Sequence, residues 1–172
     1  MKILFILCGE AFSGKSTLAK KIADTYNAKI IGRDVIYFAT ENILALENTP
    51  DEDDGNLWNN LWPLVIQGAK NQLLAGNSVV IDDNCLYLAQ RDSLRALGKE
   101  AGIKIILIYL NASREVIEKR KAENKITKHR HDVPSAWLEE DSKNFERPIP
   151  DENPIYYNPD ITLEEQLIVG EI

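Results

Sequence analysis

Cysteine and histidine are scarce in this chain, which has 172 residues and only two of each. Two cysteines, Cys8 and Cys85, are too few for the disulfide framework of a small secreted domain. Each lies beside an apolar run, where a free thiol behaves as a small buried hydrophobic group. A zinc site also needs more cysteine and histidine ligands than the chain offers. A disulfide-stapled fold and a zinc-stabilised domain are therefore disfavoured.

Long apolar runs are missing as well. The first run, 3–7, is too short for the apolar region of a signal peptide. No other run is long enough to span a bilayer. We therefore expect a cytoplasmic protein that has no membrane partner.

Basic residues are outnumbered by acidic ones, with 20 lysines and arginines against 27 aspartates and glutamates and a net charge of −7. Neutralising nucleic-acid phosphates requires lysine and arginine, so this balance disfavours a nucleic-acid partner without excluding a local basic patch. The hydrophobic content of 44% is ordinary for a globular protein. The length predicts a single domain over 1–172.

Apolar runs alternate with helix-like segments along the chain. Strands are predicted at 2–8, 28–31, 78–83 and 104–110, and helices at 15–26, 33–47, 57–74, 86–100, 112–123 and 134–146. Pro63 either kinks its helix or opens a second one with Asn60 as cap. The alternation predicts βαβ units and a parallel sheet, in which ligands bind at the carboxyl ends of the strands.

Residues 9–16, GEAFSGKS, match the pattern G-x-x-x-x-G-K-[ST] between the first predicted strand and helix. Two glycines permit a loop whose backbone N–H groups surround an anion, and the helix N-terminus adds positive charge. Lys15 would bridge the terminal phosphates of ATP, and Ser16 would offer its hydroxyl to Mg²⁺. The predicted nucleotide-binding residues are Gly9, Ala11, Phe12, Ser13, Gly14, Lys15, Ser16 and Thr17.

Arg33 and Asp34 follow the second predicted strand and begin a helix. A carboxylate there can accept the proton of an attacking hydroxyl, and an arginine can steady phosphate charge on the substrate side. An aspartate at a helix start is also a common cap. Beside the loop at 9–16, the pattern favours a functional Asp34 first and a functional Arg33 second.

Two carboxylates, Asp82 and Asp83, follow the third predicted strand. A carboxylate at this place in phosphate-binding folds orients Mg²⁺ or its water. Asp82 is the first to leave the strand, so the predicted metal site combines Asp82 with Ser16, and Asp83 is the alternative. Ordinary turn chemistry explains the same residues without a function.

A basic stretch at 113–134 stands out in this acidic chain. Basic side chains on a mobile segment can close over ATP and exclude water. A solvated helix with i,i+4 ion pairs explains the part up to residue 123. It does not explain 125–131, which contain no acid. The stretch therefore predicts a lid at about 114–133.

These motifs resemble those of the small P-loop kinases, especially the polynucleotide-kinase-like, AAA-type ATPase-like family of ATP-dependent kinases. GRDVIY is similar to the family's R-D element, whose aspartate is the general base. VVIDDNCLYLAQRDSL is similar to its D-x-N…R stretch. KRKAENKITKHRHDVP, followed by FERP, is similar to its lid and post-lid helix. The resemblance covers nearly the whole chain.

The resemblance implies an α/β, three-layer P-loop NTPase fold with a parallel five-stranded sheet, strand order 2-3-1-4-5, and a small helical lid. It implies that lid residues Arg120 and Arg130 contact phosphates. The implied catalytic residues are Lys15, Asp34 and Arg120, and the implied substrate residues are Arg33, Asp34, Asp82, Asn84 and Arg91.

The predicted activity is Mg²⁺-dependent transfer of the ATP γ-phosphoryl group to a hydroxyl acceptor, either a small molecule or a nucleic-acid 5′-hydroxyl. A GTPase switch would need N-K-x-D, and residues 124–127 lack the aspartate. A motor ATPase would need a longer chain, whereas a nucleotide-binding protein without catalysis stays open. Trp58 and Trp62 mark the expected acceptor pocket.

Overall fold

Five parallel strands form the central sheet: β1 (Ile3–Cys8), β2 (Ala28–Ile31), β3 (Ser78–Ile81), β4 (Lys104–Tyr109) and β5 (Ile155–Tyr156). The structure, a computed structural model, describes residues 2–46, 60–128 and 135–169. The strands lie in the order β2-β3-β1-β4-β5. The order and the parallel pairing confirm the predicted fold.

Seven α-helices are found in the described residues: α1 (Lys15–Tyr26), α2 (Arg33–Leu46), α3 (Trp62–Leu74), α4 (Leu88–Glu100), α5 (Arg114–Thr127), α6 (Ser135–Asn144) and α7 (Leu163–Val169). A 3₁₀ turn at Pro150–Glu152 precedes β5. Within this part of the chain, none of the helices is both long and apolar enough to cross a membrane.

The sheet has a separate apolar cluster on each face because the side chains of β1 alternate. Leu4 and Ile6 pack with residues of α3 and α4, including Val65 and Leu94. Phe5, on the opposite face, packs with α1. Since β1 pairs with β3 on one side and β4 on the other, it lies at the centre of three layers.

Several predicted boundaries differ from the structure. Pro63 lies in the first turn of α3, so it opens a helix, but Leu61 takes the cap position instead of Asn60. Helix α5 continues to Thr127, beyond the predicted helix at 112–123. Strand β3 ends at Ile81, which leaves both following aspartates in a turn.

Backbone hydrogen bonds also join the segments that follow the strands. The amide of Gly9 donates to the Asn84 carbonyl at 3.1 Å, and that of Leu110 donates to the Cys8 carbonyl at 2.8 Å. The amide of Asp82 donates to the Ile31 carbonyl, also at 2.8 Å. The turns that follow β1, β2, β3 and β4 are therefore held together at one edge of the sheet.

Candidate active site

The loop between β1 and α1 depends on its two glycines. A Cβ atom at Gly9 would lie 2.7 Å from the carbonyl oxygen of Leu110, so no larger residue fits there without movement. Gly14 has φ 109° and caps α1, a conformation that L-residues rarely adopt. The loop therefore requires glycine at both positions of the sequence motif, for lack of space at Gly9 and for backbone conformation at Gly14.

Lys15 is buried against the first half of this loop. Its Nζ donates to the carbonyl of Gly9 at 2.9 Å and to that of Glu10 at 2.8 Å. Burial lowers the pKa of Lys15, and the nearby carboxylates of Asp82 and Asp83 oppose that shift. The ammonium group is therefore positioned at the loop before any anion arrives.

The hydroxyl of Ser13 is buried and lacks a hydrogen-bond partner in the described part of the chain. Leaving a buried hydroxyl unpaired costs about 1–3 kcal/mol. A phosphate oxygen within the loop would accept this hydrogen bond. The unpaired Ser13 hydroxyl is not part of the motif pattern, and it is a further feature of residues 9–16 that fits a bound polyphosphate.

Ser16 and Asp82 meet across the site. The hydroxyl of Ser16 donates to Oδ1 of Asp82 at 3.3 Å, which joins the first turn of α1 to the turn after β3. Among the residues described, no three histidine, cysteine, aspartate or glutamate side chains are grouped as a metal cage. Mg²⁺ commonly uses only one or two protein ligands, with water and phosphate oxygens, so the pair fits this ion.

Asp83 has a different partner from its neighbour. It forms a buried, two-pronged ion pair with Arg33, whose Nε and Nη2 donate at 2.7 and 2.6 Å. The Arg33 guanidinium also lies 5.9 Å from the ring centre of Trp62. In the structure Arg33 is therefore paired with a protein carboxylate, whereas the sequence predicted that it contacts the substrate.

Asp34, the next residue, lies in the first turn of α2. Desolvation of its carboxyl group raises the pKa of Asp34, and the carboxylates of Asp83 and Asp82 raise it further. Lys15 and Arg33 act in the opposite direction. A carboxylate with a raised pKa is a better proton acceptor, which is the chemistry predicted for this residue.

Asn84 joins the site to α6, the helix that follows the predicted lid. Its Nδ2 donates to Oδ2 of Asp141, on α6, at 3.4 Å. Burial raises the pKa of Asp141. Asp141 was not predicted as a site residue, because Asn84 lies 57 positions earlier in the chain and only the fold brings the two side chains together.

Arg91, which the resemblance implied as a substrate residue, is buried in the protein. Its side chain is 1% exposed and forms an ion pair with Glu152 at 2.7 Å. It also donates to the carbonyls of Cys85 and Leu86. Because its guanidinium contacts these protein groups, Arg91 supports the turn after β3 in this structure, and its substrate role stays a prediction.

Arg120 reaches the phosphate loop from α5. Its Nη1 donates to the carbonyls of Phe12 and Ser13 at 2.9 and 2.8 Å. The structure therefore brings this basic residue to the loop, and its contact with phosphates stays a prediction. Thr17 is exposed in the first turn of α1. Arg130 lies outside the described residues.

Comparisons with known proteins agree with this geometry. A family model described as an AAA domain matches residues 4–148. No curated protein sequence matches the chain.

Three solved structures show the same fold. Kti12 from Chaetomium thermophilum, in complex with ADP-AlF3, is 14% identical with a TM-score of 0.73, covering 98% of this chain and 95% of that one. APS kinase from Mycobacterium tuberculosis, in complex with AMPPNP and APS, is 15% identical with a TM-score of 0.66 and covers 99% and 96%. A gluconokinase from Sinorhizobium meliloti 1021 is 22% identical with a TM-score of 0.62 and covers 96% and 89%.

Proposed function

Because the chain belongs to the AAA domain family and has the fold of P-loop kinases, we propose that it is an ATP-dependent phosphotransferase. It transfers the γ-phosphoryl group of ATP to a hydroxyl of an acceptor. The observation that carries this proposal is the gathering of Lys15, the Ser16–Asp82 pair and Asp34 at one edge of the sheet.

The phosphate loop binds the triphosphate through its amides and the N-terminus of α1. Lys15 exchanges its two carbonyl partners for phosphate oxygens, and the unpaired Ser13 hydroxyl gains an acceptor. Ser16 and Asp82 would hold Mg²⁺, which when bound neutralises charge between the β- and γ-phosphates. Catalysis then consists mainly of positioning and charge stabilisation.

Asp34 accepts the proton of the acceptor hydroxyl. The acceptor oxygen forms a bond to the γ-phosphorus, the bond from that phosphorus to the β–γ bridging oxygen breaks, and ADP leaves. The ion pair between Asp83 and Arg33 fixes the start of α2, and Oδ2 of Asp83 also accepts from the Arg33 amide at 3.4 Å. Asp34 is thereby held at the edge of the sheet.

Residues 1–172 form one domain with a lid at about 114–133, which includes α5. Arg120 and Arg130 contact phosphates from this lid. A cytoplasmic location would provide the ATP on which the reaction depends.

Calorimetry with ATP and Mg²⁺, followed by an acceptor screen with γ-labelled ATP, tests the proposal. We expect saturable ATP binding and labelling of at least one acceptor. If ATP binds but no acceptor is labelled, the protein is a nucleotide-binding protein without transferase activity. If ATP does not bind, the phosphate loop has been misassigned.

The Asp34→Asn variant is expected to transfer phosphoryl groups about 10²–10⁴-fold more slowly, because it cannot accept the hydroxyl proton. Its affinity for ATP should stay within about twofold, since the phosphate loop is unchanged. Steady-state kinetics and calorimetry give both values. Asp24→Asn, at an exposed position on α1, is the control. Full turnover by Asp34→Asn would remove the general-base assignment and leave the transferase class intact.

A further inference from the structure

A cavity of about 710 Å³ opens beside the first half of the phosphate loop. It is lined by 10–12 of the loop, by the β4–α5 connection, by one face of α5 and by α6. Its volume lies in the range of small-molecule sites, about 300–1,000 Å³. Asp141 lines it and also accepts the hydrogen bond from Asn84. One lining residue, Asp141, is therefore joined by a hydrogen bond to the turn after β3, in which Asp82 precedes Asn84 by two positions.

Among the described residues that line this cavity, the charged side chains are balanced in sign. The acids are Glu10, Glu118, Glu139 and Asp141, and the bases are Arg114, Lys121, Lys143 and Arg147. The formal charge of these described lining residues is therefore 4 − 4 = 0, whereas the whole chain carries −7. Asn111, Ser113 and Ser142 add neutral donors and acceptors. The walls thus offer both kinds of hydrogen-bonding partner without favouring either sign of charge.

We propose that this cavity binds the acceptor, and that the acceptor is a small hydroxyl-bearing compound without net charge, either an uncharged polyol or a zwitterion. The inference rests on the proposed phosphotransferase function. A polyanion would meet four carboxylates here as well as four bases, so the described lining offers it no net electrostatic attraction. A nucleic-acid strand is favoured by a cationic groove with aromatic side chains for base stacking. Of the described residues that line the cavity, only Phe12 is aromatic, and it is buried.

Trp62, near which the sequence placed the acceptor pocket, has other contacts. Its Nε1 donates to the hydroxyl of Ser93 at 3.3 Å, and its ring faces the Arg33 guanidinium. Trp58 lies outside the described residues. Trp62 therefore serves as packing beside the ion pair of Arg33, and the cavity lies instead between α5, α6 and the phosphate loop.

Phosphoryl transfer from γ-labelled ATP to four sets of probes tests the acceptor class. The sets are uncharged sugars and polyols, zwitterionic hydroxy amino acids, anionic sugar acids, and a ten-residue oligothymidylate with a free 5′-hydroxyl. We expect the highest kcat/KM in the first or second set, which distinguishes the polyol from the zwitterion. It should exceed the value for the oligonucleotide by at least about 100-fold.

Higher kcat/KM for an anionic sugar or the oligonucleotide would overturn the inference while supporting the phosphotransferase. The same holds if neither net-neutral set is labelled although ATP binds. Failure of the wild-type protein to bind ATP with Mg²⁺ would instead refute the proposed function itself. The two failures are therefore distinguishable in one set of measurements.

Substitutions of residues that line the cavity test whether the acceptor binds there. Asp141→Asn should raise the KM for the labelled acceptor about tenfold, because a hydrogen bond to a charged group is lost. The KM for ATP should stay within about twofold. Glu140→Gln, the adjacent residue that does not line the cavity, is the matched control.

Glu118→Gln repeats the test at an exposed residue of α5, where little effect on folding is expected. Its acceptor KM should also rise while the ATP KM stays constant. If both cavity variants leave the acceptor KM unchanged, the acceptor binds elsewhere and the inference is wrong.

Discussion

The Lys15→Ala variant is expected to lose at least about 100-fold in phosphoryl transfer, the scale seen when one positioned donor is removed from a transition-state charge site. Lys15 is buried, and two loop carbonyls hold its ammonium group in place. A charge held in a water-poor site interacts strongly with the charge that develops on the transferred group. The variant should also bind ATP more weakly, because Lys15 meets the triphosphate in the ground state as well.

The fold itself should tolerate this change. Burial lowers the pKa of Lys15, which means that desolvation makes its charged form less favourable in the folded protein than in the unfolded chain. Thermal unfolding of Lys15→Ala should therefore remain close to that of the wild-type protein. Lys20→Ala, at an exposed position of the same helix, provides the control and should behave as wild type. Undiminished transfer by Lys15→Ala would contradict the proposed role of the loop.

The second large effect is expected from Glu152→Gln, which should lower the free energy of unfolding by about 3 kcal/mol at pH 7. Glu152 is 4% exposed and accepts from Arg91 at 2.7 and 2.9 Å, and from Arg95 at 2.7 Å. Removing its charge leaves the buried Arg91 guanidinium without its counter-ion, which is costly in a low-dielectric interior. Urea unfolding monitored by tryptophan fluorescence gives the difference.

The same pair predicts a dependence on pH. Hydrogen bonds from Arg91 and Arg95 outweigh the effect of burial and lower the pKa of Glu152 from its usual 4.5 to about 2. A carboxylate with a lowered pKa stabilises the folded state above the unfolded pKa and loses that effect as pH falls towards the folded pKa. The stability difference between wild type and Glu152→Gln should therefore be complete near pH 7 and shrink below about pH 4.5.

Asp151→Asn is the matched control, because Asp151 is exposed in the same 3₁₀ turn. It should change the free energy of unfolding by less than about 0.5 kcal/mol. Equal stability of the two variants, or a difference from wild type that does not vary with pH, would show that the Glu152 ion pair has no net effect on folding.

The four longer strands and the phosphate loop were predictable because their signals are local. Strand β1 is a continuous apolar run, and its burial on both faces is what such a run indicates. The loop at 9–16 follows a fixed spacing that steric requirements at its glycines explain. Strand β5, with two residues, has no comparable pattern, and only the resemblance implied a fifth strand.

The partners of individual side chains were not predictable from local sequence. Asp82 and Asp83 are adjacent, yet one meets Ser16 and the other Arg33, a difference that depends on the geometry of the turn after β3. Arg91 matched a substrate motif, but its carboxylate partner lies 61 positions further along the chain. Such long-range pairs follow from topology, which a motif does not contain.

The amides of Gly9, Asp82 and Leu110 continue the hydrogen-bond ladder of the sheet into the turns that carry the proposed chemistry. Opening these turns therefore requires breaking bonds to the ends of β1 and β2, or to the turn that follows β3. Their amide protons would exchange with solvent only in the rare openings that disrupt the central sheet. On this side of the site, catalytic geometry and global folding thus form one cooperative unit.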